Sequence, residues 1–138
     1  MLLNVNSEDY ETDIIINDTC GKPYSILNRI IKKNFGSLRY QLLNISDNKY
    51  HLNIKNLNDS IYLNFDLRDK GIVFYFRYKN TEYVEFCQFN RFSFQSNDNS
   101  FIIQTDKNIY DFKILDKLNH NKFLIRLYKF ITESKKTK

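Results

Sequence analysis

The sequence predicts a mainly β protein of the α+β class: an antiparallel sandwich or barrel of about seven strands closed by a C-terminal helix. Three observations carry this. The chain uses 12 Phe and 10 Tyr together with many Ile, and contains no Ala, the best helix former. From Lys49 to Ile114 apolar residues recur with a period of two between short turn signals. After Asn119 the period becomes that of one amphipathic helix.

Length bounds the organisation. With 138 residues the chain is expected to form a single domain, able to bury about two-thirds of its unfolded surface. Residues 1–37 read as an N-terminal strand-turn-helix extension, 38–133 as the β-rich core with its helix, and 134–138 as a basic tail.

The extension opens on the apolar run Ile14-Ile15-Ile16, expected as a strand, and a turn over Asp18–Pro23. Pro23 suits the first position of a helix, where its missing N–H costs nothing. Ile26, Leu27, Ile30 and Ile31 then repeat at helical spacing opposite Arg29, Lys32 and Lys33, and Gly36 is a natural stop. Residues 38–45 are expected as a strand.

Tyr50, Leu52 and Ile54 alternate with His51, Asn53 and Lys55. Ile61, Leu63, Phe65 and Leu67 form the next period-two run, followed by Ile72, Phe74, Phe76 and Tyr78. A turn over Arg68–Gly71 pairs Leu67 with Ile72 and aligns both apolar faces. For the following hairpin, a three-residue loop over Asn80–Glu82 pairs Tyr78 with Val84 and Phe76 with Phe86. It sets Arg77 opposite Glu85 on the outer face, a favourable cross-strand pair. These strands, near 50–56, 61–67, 72–79 and 83–88, make a meander. Shorter strands follow near 91–95, 101–105 and 109–115. The last element is a helix from about Asn119, with Phe123, Leu124, Leu127, Tyr128 and Ile131 on one face.

The order of four meander strands, three more strands and a closing helix resembles the pleckstrin-homology-like superfold. The stretch from Tyr83 resembles its bacterial members in texture: a strand ending near Phe89, a turn into Arg91-Phe92-Ser93-Phe94, then FIIQT, IYDFKI and the helix NKFLIRLYKFI. The likeness spans roughly residues 49–133. It implies a fold and a general habit of binding, with no ligand and no site residue carried over.

The formal charge of +5 and pI of about 9.1 favour an acidic partner: nucleic acid, an anionic membrane or an acidic protein surface. The heavy use of Asn, Ile, Lys, Phe and Tyr also matches an AT-rich coding source, in which Lys serves solubility. The start MLLNVNSEDYETD has neither a basic n-region nor a long apolar stretch, and no apolar run matches a membrane span. The protein is therefore expected to be cytoplasmic, without integral membrane association, and with Cys20 and Cys87 reduced.

No catalytic group stands out. His51 falls on a polar strand face and His120 near a helix start, both read as solvated. Cys87 reads as a small sheet residue and Cys20 as a passive thiol before a helix. Two Cys and two His without close spacing do not suit zinc, and the Asn97-Asp98-Asn99 turn lacks the acidic ligands of a calcium loop. Asp66 and Asp69 have Arg68 and Lys70 as neighbours, and three glycines make no phosphate cradle. The expectation is no enzyme, no cofactor and no metal.

Binding signals are stronger. Tyr75, Arg77, Lys79 and Tyr83, near Tyr62, are expected on one outer sheet face, where aromatic and Arg side chains suit a protein partner or stacked bases. Secondary basic patches are Arg29, Lys32 and Lys33, and Arg126 and Lys129 on the last helix. The reading is a non-catalytic protein-binding module, a small bacterial inhibitor or adaptor of phage or mobile-element type acting on a larger host complex. The alternative is a basic protein that binds single-stranded RNA through the Tyr/Arg face. Oligomeric state is not encoded in any pattern here.

Overall fold

A computed structural model describes residues 1–5, 10–24, 37–46 and 50–136. The chain runs β1 (Leu2–Val5), α1 (Tyr10–Cys20), β2 (Tyr40–Ser46), β3 (Ile61–Leu63), β4 (Asp66–Leu67), β5 (Gly71–Tyr78), β6 (Thr81–Gln88), β7 (Ser93–Ser96), β8 (Ser100–Gln104), β9 (Ile109–Ile114) and α2 (Lys117–Lys136). Two antiparallel sheets result, ordered β1-β6-β5-β4 and β3-β2-β9-β8-β7. Their inner faces meet through aromatic rings. Phe74 of the first sheet lies edge-on to Tyr110 and Phe112 of the second, with ring centroids 5.0 and 5.8 Å apart. Offset and edge-on arrangements of this kind suit the ring quadrupoles.

The N-terminal segment differs from the expected strand. Ile14–Ile16 belong to α1, because Thr12, Ile16 and Cys20, spaced by four, bury one helical stripe against Val73, Val84 and Phe86. Ile14 and Ile15 face outward. Gly21 closes α1 at φ +95, with its N–H donating to Asn17 O at 2.9 Å, a left-handed cap suited to glycine. The buried Arg68 guanidinium ties this end to the β4–β5 turn, donating to Asn17 Oδ1 and Gly21 O at 3.0 and 3.2 Å. β1 is a full member of its sheet, paired with β6. The helix expected over Pro23–Gly36, from residue 25 on and with Arg29, Lys32 and Lys33, falls outside the described residues.

Residues 50–56 are not a strand. Leu52 and Ile54 bury while His51, Asn53 and Lys55 do not, yet no ladder forms; His51 sits at φ 54 and Ile54–Asn56 make a single 310 turn. The run 61–67 divides: β3 pairs with β2 in one sheet and β4 with β5 in the other. Ser37 clasps the crossing point, its hydroxyl accepting from Phe65 N–H at 2.7 Å and its N–H donating to Phe65 O at 3.0 Å. The pairing of Leu67 with Ile72 is as expected. The division and β1 bring the strands among the described residues to nine rather than about seven.

The β5–β6 hairpin corrects the expected register. Its loop is two residues, Lys79 and Asn80, both at positive φ (47 and 68), the turn whose twist matches the flanking strands. Arg77 therefore faces Glu82, and Phe76 faces Tyr83. The slip from the expected register is three residues, and an odd slip turns every β6 side chain to the other face. Val84 and Phe86 lie under α1, whereas Tyr83, Glu85 and Cys87 point toward the core between the sheets.

α2 packs onto the aromatic core at Tyr40, Phe65 and Phe101 through Phe123. Asp116 caps it, accepting from Asn119 N–H at 3.2 Å, so the helix starts before Asn119. His120, Phe123, Leu127 and Phe130 form its buried stripe, flanked by half-buried Leu124 and Ile131, while Tyr128 is exposed. The Phe123 ring stacks on Phe65 at 5.6 Å. The helix continues through Lys136 into the segment expected as a tail.

Candidate functional site

Both thiols are held protonated. Cys20, the last residue of α1, packs against β5, and burial pushes its thiol up to about 12. Burial likewise pushes Cys87 up to about 11. Neither supplies a thiolate at neutral pH, the form that attacks and ligates. Cys87 lines a cavity of about 200 Å³ with Met1, Thr19, Phe86, Gln88, Arg91 and Asp106. That is below the roughly 300–1,000 Å³ of ordinary small-molecule sites. Among the described residues no cluster of three or more His, Cys, Asp or Glu is placed to hold a metal.

His120 is buried rather than solvated. Its Nδ1 lies 2.5 Å from the Tyr40 hydroxyl and its Nε2 2.8 Å from the Ser96 hydroxyl. A serine beside a histidine is the start of a nucleophile-base pair, but the surroundings oppose that chemistry. Burial lowers the imidazole's pKa, so the imidazolium a general base must become is disfavoured. The third group is a phenol whose own pKa burial raises; it stays neutral and offers no charge to stabilise an imidazolium. The chain Ser96–His120–Tyr40 works as a strut joining β7, α2 and β2.

Of the expected partner surface, β5 presents Tyr75 and Arg77 outward, while Lys79 lies exposed in the adjoining turn with its ammonium 5.4 Å from the ring of Tyr78, which packs on the core side. Arg77 donates to Glu82 at 3.5 Å in an exposed pair. Tyr83 does not join them. It is buried on the opposite face, stacked on Phe76 at 5.7 Å and against Tyr50 at 5.1 Å. Tyr75 sits at the margin of α1, with Arg68, Asp13, Glu82 and Asp66 as its charged neighbours, so the free stripe is narrow. On the second sheet, Tyr62 shares an outward row with Gln41, Lys113 and Ser100, and the Arg39 guanidinium covers its ring at 4.2 Å. A base would have to displace that cation to stack there.

The outward side of α2 is the larger surface. The helix as a whole carries six Lys/Arg residues (117, 122, 126, 129, 135 and 136) against one acid, Glu133, so its net charge equals the whole formal charge of +5. Arg126 leans over Phe123, its guanidinium 5.9 Å from the ring, and is half-buried; Lys129 is exposed. Opposite the buried stripe lie Leu118, Lys122, Ile125 and Lys129, with Leu118 65% and Ile125 71% exposed. Leu118, Lys122 and Ile125 were not singled out from sequence. The signal was present: their spacing is helical once Asp116 is recognised as the cap.

No helix among the described residues is long and apolar enough to cross a membrane. Comparison with protein-family models and with curated protein sequences finds no match.

Proposed function

We propose that the chain is a non-catalytic protein-binding module, with the pleckstrin-homology-like architecture its sequence resembles, and that the outward face of α2 makes the main contact. One observation carries the reading: two large aliphatic side chains, Leu118 and Ile125, stand more than half exposed within a lysine-rich helix face. Phosphate backbones are bound by cations and backbone donors, and bases by aromatic stacking; neither needs aliphatic groups. A protein surface needs both an apolar centre and a charged rim. Tyr75, Arg77 and Lys79 form a second, smaller candidate contact. The protonated thiols and the pinned imidazole support the non-catalytic part of the reading. Such a module acts by occupying a larger complex, as an adaptor or inhibitor does.

Affinity purification from nuclease-treated native lysate tests this, comparing the wild type with a Lys122→Glu/Lys129→Glu variant. Both lysines are exposed, so the fold should survive. The expected result is a defined protein partner retained after nuclease and lost with the charge reversal. A nuclease-sensitive association, or a partner held equally by the variant, would overturn the reading.

A further inference from the structure

Heptad spacing on α2 defines the partner further. Leu118 and Ile125 are seven residues apart and thus recur on one line along the helix. Between and after them, Asn121 and the exposed Tyr128 take the intervening seam positions, three residues on in each heptad. In that frame Leu118 and Ile125 are a positions, and Lys122, Lys129 and Lys136 all fall at e, a single basic row bordering the seam. All three lysines are exposed, as is Lys117 at the first g position. The seam from Leu118 to Tyr128 is about 15 Å long at 1.5 Å per residue, three turns of an opposing helix.

Charges at e and g select the partner of a helix seam. A second copy of α2 would bring lysine rows toward each other or leave them facing Leu124 and Ile131, so self-pairing is disfavoured. An acidic helix would instead set carboxylates against Lys122 and Lys129 while its own aliphatic residues cover Leu118, Ile125 and Tyr128. We infer that the outward seam of α2 docks an amphipathic helix of another protein, with Leu or Ile at heptad spacing and Glu or Asp beside them. This rests on the proposal that α2 makes the main contact, and it names the partner's chemistry.

The test uses two synthetic helical peptides of equal negative charge and the full chain. One has Leu at the a and d positions flanked by Glu; in the other the same Leu residues are Ser. A fluorescent oligouridylate is the third probe. The expected result is at least tenfold tighter binding of the Leu peptide than of the Ser peptide or the oligouridylate. Leu118→Ser/Ile125→Ser should abolish that preference while the thermal midpoint stays within a few degrees. Equal binding of the two peptides, stronger binding of the oligouridylate, or a preference unchanged in the seam variant would overturn the inference. The peptide comparison stands even if the variant folds poorly. The broader reading fails separately: a native partner lost with Lys122→Glu/Lys129→Glu but kept by the seam variant leaves the surface in place and removes only the helical partner.

Discussion

Glu85 stands directly opposite Phe74 in the β5–β6 ladder, on the core side of the sheet, and is fully buried. The amino nitrogen of Met1 lies 3.1 Å from its Oε2. Burial still wins over that neighbour and over the Thr105 hydroxyl, so the carboxyl pKa is raised. A raised folded pKa means the folded state holds its proton when the unfolded state has lost it. The carboxyl then costs stability at neutral pH, and the cost fades as pH falls through the folded pKa toward the unfolded value. Glu85→Gln is expected to raise the denaturation midpoint at pH 7 and to show no advantage near pH 4, measured by urea unfolding across pH. A variant less stable than wild type at pH 7 would show that the carboxylate is held charged.

His120 has the opposite sign. Burial lowers its folded pKa below the ordinary 6.5, so the unfolded state takes up the proton first. Stability from the neutral imidazole is complete above pH 6.5 and is lost progressively as pH falls toward the folded value. The groups about the ring are Tyr40, Ser96 and Phe101, with Arg126 acting on Tyr40. His120→Gln should flatten the stability profile below about pH 6.5 relative to wild type, while lowering stability at pH 7 by about 1–3 kcal/mol through the broken buried hydrogen bonds. Parallel pH profiles for the two proteins would contradict this.

Gly71 is required by close approach. A Cβ there would meet Cys87 O at 2.4 Å and Cys20 Sγ at 2.7 Å. Gly71→Ala should therefore cost about 1–3 kcal/mol, as overpacking of a tight interior does. Adding Cys20→Ala relieves the sulfur but not the carbonyl, so most of the loss should persist in the double variant. Full recovery would place the strain on the thiol alone.

Leu127 anchors α2 and has no exposed surface. Leu127→Ala should destabilise by about 2–5 kcal/mol, the usual large-to-small penalty. Ile125→Ala, two residues away but pointing outward, should change stability by less than about 0.5 kcal/mol, as surface substitutions do. Similar losses at both positions would mean that α2 docks through a different face.

The β4–β5 turn, strand β5 and the closing helix were legible because period-two and period-3.6 patterns survive burial, as at Ile72–Phe76 and Phe123–Leu127, while the expected four-strand meander was not, since 61–67 divides between the sheets. Three other features were not. Ile14-Ile15-Ile16 has no visible period, and only the sheet beneath α1 decides that Ile16 alone turns inward. At residues 50–56 the alternation was real but reflects burial without pairing, since His51 at φ 54 and the 310 turn over Ile54–Asn56 break the extended backbone a ladder needs. The hairpin failed on two local rules: Lys79 takes a left-handed conformation that Lys rarely adopts, and Glu85 is buried where a charge was assumed excluded. Both follow from one short loop, and together they remove Tyr83 from the surface. Of the expected binding residues, Tyr75 and Arg77 keep a common face and Lys129 borders the α2 seam, while Lys79 leans over the Tyr78 ring and Arg126 over Phe123. Leu118 and Ile125 were passed over because starting the helix at Asn119 removed the first of the pair.

The most direct measurement is photo-crosslinking from a diazirine side chain placed singly at position 125, 75 or 113 of the full chain in native lysate. These positions report the α2 seam, the β5 face and the open face of the five-stranded sheet. The expected outcome is one nuclease-resistant protein adduct, formed from position 125 and competed by the acidic Leu peptide. An adduct from position 75 or 113 without one from 125, or an adduct that nuclease removes, would contradict recognition of a protein partner through α2.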